Sequence, residues 1–139
     1  MSNKTITIEA LVAAPPAKVW ECWTAPEHIT QWNFASDDWC CPHAHSDLRV
    51  GGKYLARMEA KDGSVGFDFE ARFDTVEPGQ ALAYTMTDGR RAITHFSEEG
   101  EATRISTEFD PESTNPIQMQ RDGWQAILDN FKHYVESIT

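Results

Sequence analysis

The residues best equipped for chemistry fall in one run, Cys40-Cys41-Pro42-His43-Ala44-His45-Ser46-Asp47. Thiolate, imidazole and carboxylate are the ordinary ligands of zinc, and Cys41, His43 and Asp47 occupy alternate positions. In an extended segment, alternation puts residues 41, 43, 45 and 47 on one side. Such a run spans ~20 Å at ~3.3 Å per residue, so it converges on one ion only if it bends. The spacing is not that of a zinc finger either. Histidines facing solvent or lining a cavity mouth explain the run better, and no metal site is expected. The cysteines are Cys22, Cys40 and Cys41. An odd number with two adjacent cannot make a disulfide framework of the secreted kind, so reduced thiols are the default.

Other titratable side chains sit in segments of period two. Parity puts Arg57, Glu59, Asp68, Glu70, Arg72, His95, Arg104 and Glu108 on one face, the signature of a solvated sheet surface. The opposite face carries Tyr54, Ala56, Met58; Phe67, Phe69, Ala71, Phe73; Leu82, Tyr84, Met86; Thr94, Phe96; and Ile105, Thr107, Phe109. Its polar members, Tyr54, Tyr84, Thr94 and Thr107, orient a ligand by hydrogen bonds but are weak acids or bases at neutral pH. An enzyme of the cyclase or hydrolase kind needs a His or carboxylate inside, which a bulge that flips His95 or Glu70 inward would supply. Without one, the pattern suits holding a molecule rather than transforming it.

The elements that must position these groups follow from periodicity. Residues 5–12 alternate and are β-branched, a strand with Ile6, Ile8, Ala10 and Val12 on one face. Pro15-Pro16 then starts a short helix to Thr24, with Val19, Trp20 and Trp23 at helical spacing. Pro26-Glu27-His28 begins a second short helix whose apolar side is Ile29 and Trp32. Residues 33–45 read as irregular. From Asp47 to Asp110 at least five alternating segments are separated by Gly51-Gly52, Asp62-Gly63, Pro78-Gly79, Asp88-Gly89 and Glu99-Gly100, an antiparallel meander. Residues 116–138 place Trp124, Ile127, Leu128, Phe131, Val135 and Ile138 three and four apart, one long amphipathic helix. The fold class is α+β: a sheet of six to seven strands that curls around a helix about 35 Å long, at 1.5 Å per residue. Gly51-Gly52 is expected to supply a positive φ or a bulge, with Asp47 and Arg49 tying that turn to the helices. Gly123 is expected to let the long helix approach the sheet closely.

At 139 residues with 40% hydrophobic composition, five Trp and seven Phe, the chain is expected to be a single domain spanning 1–139 with a real core. The net charge of -10 repels a phosphate backbone, so nucleic acid is not expected as a partner. No run approaches the ~18 apolar residues of a membrane span, and MSNKTITIEA lacks the basic-then-apolar pattern of a signal peptide. The expected location is the cytoplasm, away from membranes. A homodimer is plausible for so small and aromatic a domain, though no residue defines its interface.

The order strand, two short helices, meander and long helix resembles the START-like or SRPBCC superfamily, the helix-grip fold. Within it, Trp32 with the Trp39 region, Asp47-Leu48-Arg49-Val50-Gly51-Gly52-Lys53-Tyr54, and Gln120-Arg121-Asp122-Gly123-Trp124 through Leu128 to Phe131 resemble the branch named after heat-shock protein 90 ATPase activator homologues. The resemblance implies a deep cavity between sheet and long helix, used by different members for lipids, polyketides, flavonoid-like molecules or plant hormones. It prescribes no histidines at 43 and 45 and no cofactor. A chaperone co-activator role is suggested by the family name alone, and because the chain reads as a single domain without the extra N-terminal domain of true activators, no chaperone association is expected. The expected function is binding of a small hydrophobic molecule, with a polyketide cyclase-like enzyme as the alternative. The expected ligand contacts are Trp32, Phe34 and Trp39 at the mouth; Met58, Phe67, Phe69, Tyr84, Met86 and Phe96 on the sheet; and Met119, Trp124 and Leu128 on the helix.

Overall fold

In the computed structural model, which describes residues 5–138, one antiparallel sheet of seven strands curls around a single long helix. The strands are β1 (Ile6–Val12), β2 (Trp39–Ser46), β3 (Lys53–Ala60), β4 (Gly66–Glu77), β5 (Ala81–Met86), β6 (Arg91–Glu99) and β7 (Ala102–Phe109). Helices α1 (Pro16–Thr24) and α2 (Pro26–Ile29) follow β1, and α3 (Ile117–Ser137) closes the chain. The strand order is β1-β7-β6-β5-β4-β3-β2, so the two strands that flank α1 and α2 in sequence form opposite edges of the sheet. That order completes the sheet wrapped around a helix that periodicity predicts.

Parity assigned the inner face well. Tyr54, Ala56, Ala71, Phe73, Leu82, Met86, Thr94, Phe96, Ile105, Thr107 and Phe109 are all buried. They meet a stripe of α3 made of Leu128, Phe131 and Val135, which α1 supports with Val19 and Cys22. The outer face is a lattice of ion pairs, with Arg57 on Glu59 and Asp68, Lys53 on Glu70, and Arg104 on Glu99 and Glu9. Their side chains are well exposed, so solvent screens each pair and it contributes little to stability. No bulge turns His95 or Glu70 inward: His95 is exposed and Glu70 is held by Lys53.

The segment expected to be irregular departs from expectation over Trp39–Ser46, which forms edge strand β2. Pro42 argues against a central strand because it has no N–H to donate, but an edge strand with a bulge tolerates it. The ladder to β3 shifts register between Cys40 and His43, around the proline. The bulge also breaks the alternation on which the zinc argument turned. Cys41 points into the core, whereas His43 and His45 are exposed. Among the described residues no three His, Cys, Asp or Glu side chains converge as a metal would require. A second register shift, between Phe73 and Thr75, lets both Phe73 and Val76 reach the core.

The Gly51-Gly52 turn is tied to β4 rather than to the helices. Gly51 N–H donates to Phe73 O at 2.7 Å, Phe73 N–H returns to Gly52 O at 3.0 Å, and Arg72 donates to Gly51 O. The Arg49 guanidinium donates to the Asp47 carboxylate, within the turn itself. Gly51 takes φ +84°, as the turn reading requires, while Gly52 is needed for a different reason: a Cβ there would lie 2.0 Å from the Asp47 carbonyl oxygen. Gly123, by contrast, has nothing within 4 Å of where its Cβ would be, so it is not a close-approach glycine.

Candidate functional site

Between α3 and the β3–β5 part of the sheet the core opens into a cavity of about 180 Å³. Its size follows from the parts. The right-handed twist of the sheet carries β3 and the start of β4 away from the helix, and the gap is bridged by rings rather than filled by aliphatic side chains. Ile8, Phe73, Leu82, Thr94 and Thr107 form one wall, and Trp23, Thr24, Trp32 and Asn33 form another. Trp124, Ile127 and Leu128 come from α3, while Ser46, Tyr54, Met58, Phe67, Phe69 and Tyr84 complete the lining. Phe67, 49% exposed, marks the rim.

The rings hold one another in place. Tyr54 and Tyr84 stack at 5.7 Å and 12°, and Phe69 and Phe73 meet Tyr54 edge-on. Trp23 stacks on Trp32 at 5.1 Å, and Phe131 presents its edge to both. Trp124 lies flat on Phe109 at 3.8 Å and 9°. Offset and edge-on pairs of this kind add about 0.5–1.5 kcal/mol each beyond the area they bury, and they fix the wall's shape.

Among the described residues no Asp, Glu, His, Lys or Arg lines the cavity. The polar lining groups are a carboxamide and hydroxyls. Asn33 Nδ2 donates to the Tyr54 hydroxyl at 3.2 Å, the Thr94 and Thr107 hydroxyls bond each other at 2.8 Å, and Thr24 donates to Trp20 O. Burial pushes the Tyr54 phenol well up, and the neighbouring Tyr84 phenol adds to the effect. Burial likewise raises Tyr84, so both phenols stay protonated through the physiological range.

Of the residues expected at the ligand, Trp32, Met58, Phe67, Phe69, Tyr84, Trp124 and Leu128 line the cavity. Five do not. Phe34 packs on the outside of the core cluster, and its carbonyl accepts from Asn130. Trp39 covers the sheet edge, 6.2 Å from Phe67. Met86 is buried in solid core, and Phe96 is enclosed by Trp20 and Trp23. Met119 is 59% exposed, because the helix phase turns the neighbouring Gln120 inward instead. Trp32 is itself no mouth residue. It is buried, with its indole N–H on Cys22 O at 2.9 Å.

Several lining residues were within reach of parity, since Tyr54, Phe73, Leu82, Thr94 and Thr107 fall on the inner face. Ser46 was hidden by the bulge. Asn33 lay in a stretch with no period, and nothing in the sequence marks it.

An antiparallel sheet gripping one long helix over an apolar cavity defines a START-like helix-grip domain. Residues 13–136 match the model of the Activator of Hsp90 ATPase homolog 1-like protein family, and the chain belongs to that family. It is similar to the AHSA1-like protein of Aeromonas hydrophila, solved in solution, at 42% identity over 96% of this chain and 93% of that one, with a TM-score of 0.91. A protein of Cytophaga hutchinsonii is similar at 45% identity over 99% and 94% of the two chains, with a TM-score of 0.83. A protein of Chromobacterium violaceum, 22% identical over 95% and 97% of the chains, shares the fold with a TM-score of 0.86. No protein of curated function matches the chain. Among the described residues no helix is long and apolar enough to cross a membrane.

Proposed function

We propose that this protein is a cytoplasmic binder of a small apolar or aromatic molecule, held between α3 and the sheet. The observation that carries the reading is the cavity itself, about 180 Å³ walled by rings and methyl groups. A dry apolar cavity of about 150 Å³ accommodates one benzene, so this one suits a molecule of one or two rings. The lining supports holding over turnover. General acid-base chemistry needs a group that titrates near neutrality, and the titratable lining groups are phenols shifted further from neutrality by burial.

Titration of 15N-labelled protein with a set of one- and two-ring compounds tests this. Saturable shifts are expected at amides of Tyr84, Thr94, Trp124 and Ile127. Ile127→Trp, which fills the cavity from the helix side, is expected to weaken binding at least tenfold while the protein stays folded. A folded spectrum that no apolar ring compound moves would sink the proposal.

A further inference from the structure

At one corner of the molecule a titratable contact holds part of the cavity wall in place. The stretch from Ala25 to Phe34 contains α2 and supplies Trp32 and Asn33 to that wall. Side-chain hydrogen bonds fasten it to both neighbouring helices. Trp32 Nε1–H donates to Cys22 O of α1 at 2.9 Å, and Asn130 Nδ2 of α3 donates to Trp32 O at 2.9 Å. Neither bond involves a group that titrates. A third contact does: His28 Nδ1 lies 2.5 Å from the Tyr134 hydroxyl of α3, and Nε2 of the same ring lies 3.9 Å from the Glu21 carboxylate of α1. Imidazole is the side chain that ordinarily changes charge between about pH 5 and 8.

The surroundings decide what a proton on this ring would meet. From α1 come Glu21 and the buried Cys22, whose thiol burial pushes up and on which Lys18 acts. Glu27 precedes His28 on α2. Helix α3 brings Tyr134, the exposed His133, and Lys132, which is paired with Glu136. Strand β2, packed on α2, buries Cys41, also pushed up by burial, and exposes His43 and His45. The thiols are therefore uncharged at neutral pH and Lys132 is engaged, so the carboxylates of Glu21 and Glu27 outweigh Lys18. Burial pushes the Tyr134 phenol up, with Cys22, Glu21 and Glu27 adding to the effect, and the hydroxyl keeps its proton.

With His28 neutral, the carboxylate beside Nε2 favours the tautomer that carries its proton there, and Nδ1 accepts from the Tyr134 O–H. When the ring takes a proton from solvent, Nδ1–H donates to the phenol oxygen and the phenol proton turns away. The hydrogen bond survives as a charge-assisted one, roughly twice as strong as its neutral form. An ion pair between Nε2–H and Glu21 is added, screened because the Glu21 side chain is 59% exposed. We infer that His28 is a proton-operated clasp, which in mild acid fixes the α2 stretch, with its part of the cavity wall, more firmly on α1 and α3.

Hydrogen exchange of the 15N-labelled protein tests this, read as protection factors so that the intrinsic pH dependence of exchange is removed. From about pH 8 to about pH 5.5, protection of the Trp32 indole N–H and the Asn33 amide is expected to rise about threefold, while the core amides of Thr94 and Ile105 hold steady. Glu21→Gln should keep the alkaline value and lose most of the rise. His28→Asn, which leaves a hydrogen-bonding group where Nδ1 stood but takes up no proton, should keep the alkaline value and lose the rise altogether. Tyr134→Phe should lower the protection of both reporters in acid and alkali alike. A rise that is missing from the parent protein, that persists undiminished in His28→Asn or Glu21→Gln, or that the core amides share equally overturns the inference. So does a Tyr134→Phe variant as well protected as the parent.

Discussion

Two glycines show how differently one residue type is used. At Gly52 a methyl group would sit 2.0 Å from a backbone oxygen that cannot move without breaking the turn, so Gly52→Ala is expected to destabilise the protein by more than about 3 kcal/mol. Gly123 is a helical glycine with open space around it, and Gly123→Ala should stabilise by about 0.5–1 kcal/mol through helix propensity alone. Urea unfolding of the two variants checks both signs. The contrast was only half legible beforehand. A Gly-Gly pair between two alternating segments announces a turn, but the spacing around Gly123 carries no information about what lies opposite it, and the expected close approach is not there.

The elements themselves were largely readable, because period two and period 3.6 each persist over enough residues to be unmistakable. What escaped was β2, where one proline and one bulge erase the alternation on which strand recognition depends. The same bulge concealed Ser46 from the list of lining residues. Helix α3 was read almost to its ends, and its two halves are held differently. Leu128, Phe131 and Val135 are buried in the C-terminal half. In the N-terminal half Trp124 is only half-buried on Phe109, and Gln120 clamps the preceding loop through Glu112 and Asn115. Phe131→Ala is therefore expected to cost about 3–5 kcal/mol, and Trp124→Ala about 2–3, because the indole borders space that is already empty. Denaturation midpoints in the reverse order would show that the N-terminal half is the true anchor.

For the molecule as a whole, periodicity dictates that a sheet wraps a helix, but whether the middle is hollow depends on rotamers and twist that no pattern reports. The buried protonated groups have a collective consequence. Burial raises the Cys41 thiol to about 11, and the Tyr54 and Tyr84 phenols rise from their ordinary value. In the unfolded chain the thiol ionises near pH 9 and the phenols near 10, whereas the folded protein retains these protons. Above about pH 9 the unfolded state binds fewer protons, so stability is intact below that pH and declines as pH rises. The urea midpoint is expected to hold up to about pH 9 and to fall from there to about pH 11. Phenolate absorbance at 295 nm from these two tyrosines should appear only together with loss of the circular dichroism signal. Ionisation of every tyrosine near pH 10 in a protein that keeps its fold would contradict this.

The placement of β1 at the edge opposite β2 has a consequence for how the molecule is made. β1 pairs only with β7, joining Ile6 to Phe109 and Val12 to Thr103. During synthesis at about 5–20 residues per second, the first strand has no partner until some hundred residues have followed it. Until then Ile6, Ile8 and Val12, buried in the folded protein, lack the strand that pairs with them, and the hairpins from β2 to β7 involve only strands that are neighbours in sequence. Closing the β1–β7 pair thus joins segments made about a hundred residues apart.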